Sequence, residues 1–287
     1  MTAGYVVDGG APVLVETGSQ SSVPTLLDAL AELDVAAADL AGVVVTHIHL
    51  DHAGGVGDVA REFPNASVYV HEKGARHLVD PARLVSSAGR VYGDLLDSLY
   101  GRLEPTPSER IHVLADGERL PVGPDRWLTA IDSPGHARHH LGLHDSESGV
   151  LFVGDAVGVR LPDLGVLRPA TPPPDFDLDL AIGSLRRFAE RRPHALALAH
   201  YGLVPGDPAT ALGEAEDILR RWAAVAEAAW RGGDGVARAL ADAFGSELAG
   251  ARRDSNDRLE TLNGVHSNAA GLRRWLETRQ SAGPGEA

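Results

Sequence analysis

Thr46-His47-Ile48-His49-Leu50-Asp51-His52-Ala53-Gly54-Gly55 follows directly on the apolar run Val43-Val44-Val45. His47 and His49 share one parity, so on an extended backbone both imidazoles point the same way, while Asp51 and His52 fall on the turn that follows. Four ligand-type side chains can therefore converge. The chain holds 13 histidines, and chance would produce His-x-His-x-Asp-His somewhere in it on the order of twice in a thousand such compositions. A buried histidine cluster without a metal would meet mutual repulsion when protonated and a desolvation penalty when packed away. Ligand type and spacing thus point to metal binding.

One such cluster is incomplete, because each ion wants four or more ligands. Three later segments supply candidates: Ser133-Pro134-Gly135-His136, Val153-Gly154-Asp155-Ala156 and Leu198-Ala199-His200-Tyr201-Gly202. Each places its His or Asp just after a strand-like run, where open α/β sheets collect functional residues.

Further outward, Tyr5 to Glu16 reads as two short strands around the Asp8-Gly9-Gly10 turn. Leu26, Leu27, Leu30 and Leu33 recur at helical spacing before the Val43 to Val45 strand. A short helix is expected from Val56 to Phe63, stopped by Pro64, then a strand from Ser67 to His71. Gly74 to Glu104 looks helical, with an apolar stripe that includes Leu84, Val85, Leu95, Leu96 and Leu99. Strands are expected at Trp127 to Ile131, Leu141 to His144, Val150 to Val153 and Ala195 to Ala199, with a helix over Leu180 to Arg191. The Pro-rich segment Arg168 to Pro174 reads as an extended surface loop, since its prolines cannot donate backbone hydrogen bonds. After Pro208 the pattern is mostly helical, broken at Gly232-Gly233. Alternating strands and helices imply an α/β fold.

Composition narrows the function classes. A formal charge of -14 and no Lys/Arg cluster argue against a nucleic-acid partner. The single lysine, Lys73, stands beside what reads as a turn glycine and is a poor Schiff-base candidate. With no cysteine, thiolate ligands, disulfides and a cysteine nucleophile are excluded. The first 22 residues lack a basic start and a sustained apolar run, and no stretch approaches ~18 consecutive apolar residues. A cytoplasmic location without membrane attachment is expected.

The ordered set His-x-His-x-Asp-His, then His136, Asp155 and His200, resembles the metallo-β-lactamase superfamily over residues 1–205. That resemblance implies a four-layer αβ/βα sandwich with the site at one edge of two packed sheets. It implies that His47, His49 and His136 hold one metal, that Asp51, His52 and His200 hold the other, and that Asp155 bridges them. Two divalent ions, zinc first and iron or manganese as alternatives, would share a hydroxide that serves as nucleophile. Asp51 would orient that hydroxide and shuttle a proton. The expected layout is a catalytic domain over 1–205 with a helical insertion at about 75–104, a helical extension packed on it over 206–280, and a flexible tail at 281–287.

The ligand set is similar to those of hydroxyacylglutathione hydrolases and lactonases, which implies a hydrolase cleaving an ester, thioester or lactone of a small molecule. The run Ala156-Val157-Gly158-Val159-Arg160 lacks the tyrosine that quorum-signal lactonases place nearby. β-Lactam hydrolysis is disfavoured, because those enzymes are usually exported and no signal peptide is read here. A mononuclear iron persulfide dioxygenase-like oxidoreductase and a phosphodiesterase are the alternatives, the latter opposed by the acidic charge. Tyr201, His140 and Arg160 are the candidate substrate contacts, each weighed against a purely structural role. His139 and His71 are weighed the same way and a packing role is preferred for both. Homo-oligomerisation is left open.

Overall fold

Valine and leucine dominate the short strands because branched and apolar side chains pack well on a pleated, buried surface. The first such run is Tyr5–Val7 (β1), antiparallel to Val13–Val15 (β2), with Tyr5 opposite Val15. Gly10 N–H donates to Asp8 Oδ1 at 2.7 Å, so Asp8 closes the turn between them. Three parallel strands continue the sheet: Gly42–Val44 (β3), Ser67–Val70 (β4) and Ile111–Val113 (β5). Parallel pairing requires crossovers, which helices supply.

In this computed structural model, which describes residues 2–162, 165–245, 257 and 260–281, the chain divides into two compact units. Thr2–Asp132 with His139–Gly154 form one, and Ser133–Arg138 with Asp155–Ala287 the other.

In the first unit the crossovers carry Val23–Glu32 (α1), Leu50–Ala53 (α2), Val56–Glu62 (α3), Glu72–Val79 (α4), Ala82–Tyr92 (α5) and Leu96–Leu99 (α6). Their apolar faces close one core with the sheet, in which Leu14, Leu30, Val43, Val59, Val68 and Leu78 are buried. Arg110 satisfies the end of α3, donating to the carbonyls of Ala60 at 3.2 Å and Phe63 at 2.9 Å. Lys73 lies inside α4 rather than beside a turn, because His71 caps that helix and it runs on through Gly74. The same unit holds an antiparallel run of Arg119–Pro121 (β6), Trp127–Asp132 (β7), Leu141–Asp145 (β8) and Val150–Gly154 (β9). On β8 Asp145 is buried and receives Arg126 Nε–H at 2.9 Å. Burial pushes the Asp145 carboxyl up, but Arg126, the Ser148 hydroxyl and the Glu147 N–H together bring it down to about 2.

The second unit contains the two-residue strands Val159–Arg160 (β10) and Leu167–Arg168 (β11), the helix Leu178–Glu190 (α7), and the hairpin Ala195–Leu198 (β12) with Gly202–Leu203 (β13). Pro208–Gly232 (α8) follows, then Val236–Phe244 (α9) and Val265–Ser281 (α10). Asp207 caps α8 by accepting Thr210 N–H at 2.9 Å, and Pro208 occupies its first turn, where no N–H is needed. Ala211, Leu212, Ala215, Ile218, Leu219, Trp222 and Ala226 form its buried stripe. Trp222 stacks on Phe244 of α9 at 4.9 Å. The tail read at 281–287 lies, beyond Ser281, outside the described residues.

One expectation is corrected here. The segment from Arg168 to Pro174 is not a surface loop throughout, since Arg168 and Thr171 are buried. Asn268 Oδ1 accepts Thr171 N–H at 2.6 Å, and Asn263 Nδ2 donates to the Pro169 carbonyl at 3.0 Å. Side-chain amides thus replace the ladder that prolines deny this segment. Only its end, Pro173 and Pro174, is exposed. Among the described residues, no helix is long and apolar enough to cross a membrane.

Candidate metal centre

The structure brings His47, His49, Asp51 and His52 together within the first unit. β3 ends at Val44, the chain from Val45 to His49 is irregular, and His49 is the N-cap of α2. Asp51 and His52 therefore sit on a one-turn helix rather than a simple turn. His47 Nε2 stands 3.0 Å from His49 Nδ1, and the His47 and His52 rings are 4.0 Å apart. Asp51 Oδ2 is 3.6 Å from His52 Nε2, with the Asp51 side chain 24% accessible. His47 and His52 are fully buried, and His49 is partly buried.

What holds this cluster is a residue that sequence reasoning missed. Glu16 directly follows β2, is 1% exposed, and has φ of 67°. Its Oε1 accepts Thr46 N–H at 3.0 Å and its Oε2 lies 3.4 Å from His52 Nδ1. The carboxylate favours the proton on Nδ1 and leaves the His52 Nε2 lone pair for an ion. Thr17 adds two bonds to the His52 carbonyl, from N–H at 3.0 Å and Oγ1 at 2.9 Å. The one available signal was a carboxylate closing an apolar strand directly before Thr17-Gly18. Half-buried Tyr5 borders this anchor, and burial together with Glu16 pushes its phenol pKa upward.

The second unit assembles His136, Asp155 and His200. Asp155 directs Oδ2 at His136 Nε2, 3.7 Å away, and Oδ1 at His200 Nε2, 3.3 Å away. His136 Nδ1 is 3.0 Å from the Ala170 carbonyl, which only accepts, so that nitrogen carries the hydrogen and Nε2 the lone pair. The loop before it is clamped by α7: Asp177 N–H donates to the Gly135 carbonyl at 2.9 Å and Ser184 Oγ to the Pro134 carbonyl at 2.6 Å. Gly135 has φ of 133°, and a Cβ there would lie 2.3 Å from Ala181 N, so only glycine lets the loop meet the helix this closely.

The remaining candidates take definite places. His140 is fully buried, 5.2 Å ring to ring from His47. Gly154 leaves it room, since a Cβ there would fall 2.4 Å from His140 Nε2 and 2.5 Å from Thr46 Oγ1. His139 Nδ1 faces Ile48 N–H at 3.4 Å, with its ring 5.8 Å from that of His49. Arg160 pairs with Glu214 at 3.1 Å. Tyr201, with φ of 65°, packs against Val159 and Leu161. His71 caps α4 and faces Asp132 at 3.2 Å; burial holds its pKa below the ordinary range against the pull of that carboxylate.

All seven of His47, His49, Asp51, His52, His136, Asp155 and His200 belong to His/Asp groups that could hold a metal ion. Neutral imidazoles and carboxylates are the donors that zinc, iron and manganese accept, so the donor chemistry fits. The family model described as the metallo-beta-lactamase superfamily matches residues 2–200. The chain belongs to the metallo-β-lactamase superfamily. Among its superfamily relatives, the metallo-beta-lactamase fold-containing protein ST1585 of Sulfurisphaera tokodaii is 33% identical over 166 residues, 56% of this chain and 60% of that one. The crystal structure of that archaeal superfamily protein superposes with a TM-score of 0.63 at 29% identity, covering 75% of this chain and 79% of the other. Human acyl-coenzyme A thioesterase MBLAC2 is 33% identical over 125 residues, 40% of either chain. Hydroxyacylglutathione hydrolase of Aeromonas salmonicida is 28% identical over 149 residues, 50% of this chain and 42% of that enzyme. The matched region therefore spans less than two thirds of each of these curated relatives. The α/β fold with several sheets read from the sequence is that of the superfamily.

Proposed function

We propose that this superfamily member is a dinuclear metal-dependent hydrolase that cleaves a small-molecule ester, thioester or lactone, with acyl thioesters first. The observation that carries the reading is the Asp155 carboxylate, whose two oxygens address two different imidazole nitrogens at 3.7 and 3.3 Å. One carboxylate serving two neighbours in this way is what a ligand shared by two ions requires. His47 with His49 and His136, and Asp51 with His52 and His200, are each a donor group able to hold an ion.

Two divalent ions bound there, zinc in the first place and iron or manganese otherwise, would supply a nucleophile at neutral pH and polarisation of the acyl carbonyl. The chain's own residues do the rest. Glu16 and the Ala170 carbonyl fix the tautomers of His52 and His136, so that each presents a lone pair from Nε2. In hydrolysis a water oxygen bonds to the acyl carbon, the carbon–sulfur bond breaks, and the thiolate leaves with a proton. Asp51, partly accessible beside His52, is the carboxylate that holds that proton on Oδ and passes it on. The names of the thioesterase and of the hydroxyacylglutathione hydrolase favour a thioester among the three substrate types. The net charge of -14 opposes a phosphodiester polymer.

Metal analysis of protein produced without added metal, followed by assays on thioesters, lactones and phosphodiesters, tests the reading. About two equivalents of metal with thioester or lactone turnover are expected. One iron per chain with oxygen consumption and no hydrolysis would overturn it.

A further inference from the structure

A hydroxyl faces the ring of His47. Thr46 Oγ1 lies 3.0 Å from His47 Nδ1, while His47 Nε2 stands 3.0 Å from His49 Nδ1. A ring nitrogen that gives its lone pair to an ion carries no hydrogen, so the other nitrogen of a neutral imidazole must carry it. Nε2 is the His47 nitrogen that meets a neighbouring donor. Nδ1 is then the protonated one, and Thr46 Oγ1 is placed to accept its hydrogen.

The backbone of Thr46 is fastened on both sides. Its N–H donates to Glu16 Oε1 at 3.0 Å, and its carbonyl accepts Leu141 N–H at 2.7 Å. The residues just before Leu141 close over the same stretch: the fully buried His140 ring is 5.2 Å from that of His47, and His139 Nδ1 receives Ile48 N–H at 3.4 Å. At the end of β9, Gly154 has φ of 50°, and a Cβ there would lie 2.5 Å from Thr46 Oγ1 and 2.9 Å from Thr46 Cβ. A larger residue would push the hydroxyl away from His47. Thr46 is itself 1% exposed, so water does not compete for its oxygen. Its branched side chain has few χ1 alternatives, which keeps that oxygen in one place. None of the backbone bonds needs the side chain, so a substitution can remove the hydroxyl and leave them intact.

We propose that Thr46 is a positioning residue of the metal centre: its hydroxyl accepts the Nδ1 hydrogen of His47, fixes the tautomer and ring angle, and so aims the Nε2 lone pair at the ion. Thr46 touches neither substrate nor ion and acts through His47. The inference rests on the reading of His47 and His49 as metal ligands and assigns the group that makes the first of them ready to bind. Serine at this position would supply the oxygen without the stiffness, and valine the stiffness without the oxygen.

The test uses that pair. Zinc affinity of the full chain is measured by chelator competition for the parent, Thr46→Val and Thr46→Ser, with Thr46→Ala as a second hydroxyl-free variant and circular dichroism of each metal-stripped protein to show that it is folded. Thr46→Val and Thr46→Ala bind one equivalent of zinc about tenfold more weakly than the parent. The other equivalent is unchanged, because Asp51, His52 and His200 form a donor group without His47. Thr46→Ser stays close to the parent. Proton NMR of zinc-loaded protein carrying isotope-labelled histidine gives a second readout: a slowly exchanging imidazole N–H seen in the parent and in Thr46→Ser is lost in the hydroxyl-free variants. Parent-like affinity in those variants, retention of that N–H, or an equal weakening in Thr46→Ser overturns the inference. Zinc binding as expected with no ester, thioester or lactone turned over leaves Thr46 in its role and removes the hydrolase reading; a parent that binds no divalent ion overturns both.

Discussion

Two sets of candidate metal donors are positioned on different terms. His47, His49, Asp51 and His52 come from six consecutive residues and are oriented by Glu16 and Thr46, whereas His136, Asp155 and His200 are spread over 65 positions and are oriented by a backbone carbonyl and a helix. The contiguous set takes its precision from one buried carboxylate. The dispersed set takes it from a loop pinned at Gly135 and a proline-rich segment held by two asparagines. A point change near the first should act on the metal, and one near the second on the fold as well.

The largest effect is expected at the carboxylate that faces two imidazoles. Asp155→Ala should lower kcat/KM by about a thousandfold, about 4 kcal/mol of transition-state stabilisation, and lower metal content, by steady-state kinetics and elemental analysis. Unaltered activity would sink the shared-ligand role. Next comes the support of the dispersed set. Asn268→Ala strands the fully buried Thr171 N–H, while the Thr171 hydroxyl keeps the backbone carbonyl of residue 268, which should cost about 1 to 3 kcal/mol in urea unfolding. It should also weaken the grip of the Ala170 carbonyl on His136. A variant as stable as the parent would show that the segment is held by other means.

For the contiguous set, Glu16→Ala should lower metal affinity about 10- to 100-fold in chelator competition, with a smaller loss of stability than Asn268→Ala. Glu16→Gln should recover part of it, because an amide oxygen still accepts Thr46 N–H. Equal affinities in all three proteins would remove Glu16 from the anchor. The smallest effect is a reference point that neither set touches. Asp145 titrates at about 2 in the folded protein, below its unfolded value of about 3.9. A depressed carboxyl stabilises the fold above the unfolded value and loses that contribution as pH falls toward 2. Metal-stripped protein should therefore lose about 1 kcal/mol from this group between pH 7 and pH 3. An Arg126→Met variant with the same acid profile would disprove the assignment.

Legibility followed the range of the interactions. The first ligand segment was readable because its spacing is local, and the helices α3, α7 and α8 were readable because caps, prolines and apolar periodicity are local too. The strands β5 and β6 were not foreseen: each is three residues long, and Ile111–Val113 carries a histidine and two half-exposed or exposed side chains. The proline-rich segment was misread because the partners that bury it, Asn263 and Asn268, lie more than 90 residues away. Glu16 looked like an ordinary strand end, since nothing nearby in sequence announces that a carboxylate will face a histidine 36 positions on.

By itself the sequence determined the chemistry available: no thiol, one lysine, and an ordered set of imidazoles and carboxylates placed after strands, which fixes donor type and superfamily. Tertiary structure alone decided which nitrogen of His52 and His136 carries the hydrogen and how Asp155 divides its two oxygens. The reason is that a residue's identity sets what it can bind, while tautomer and direction depend on partners that only folding brings within about 3 Å.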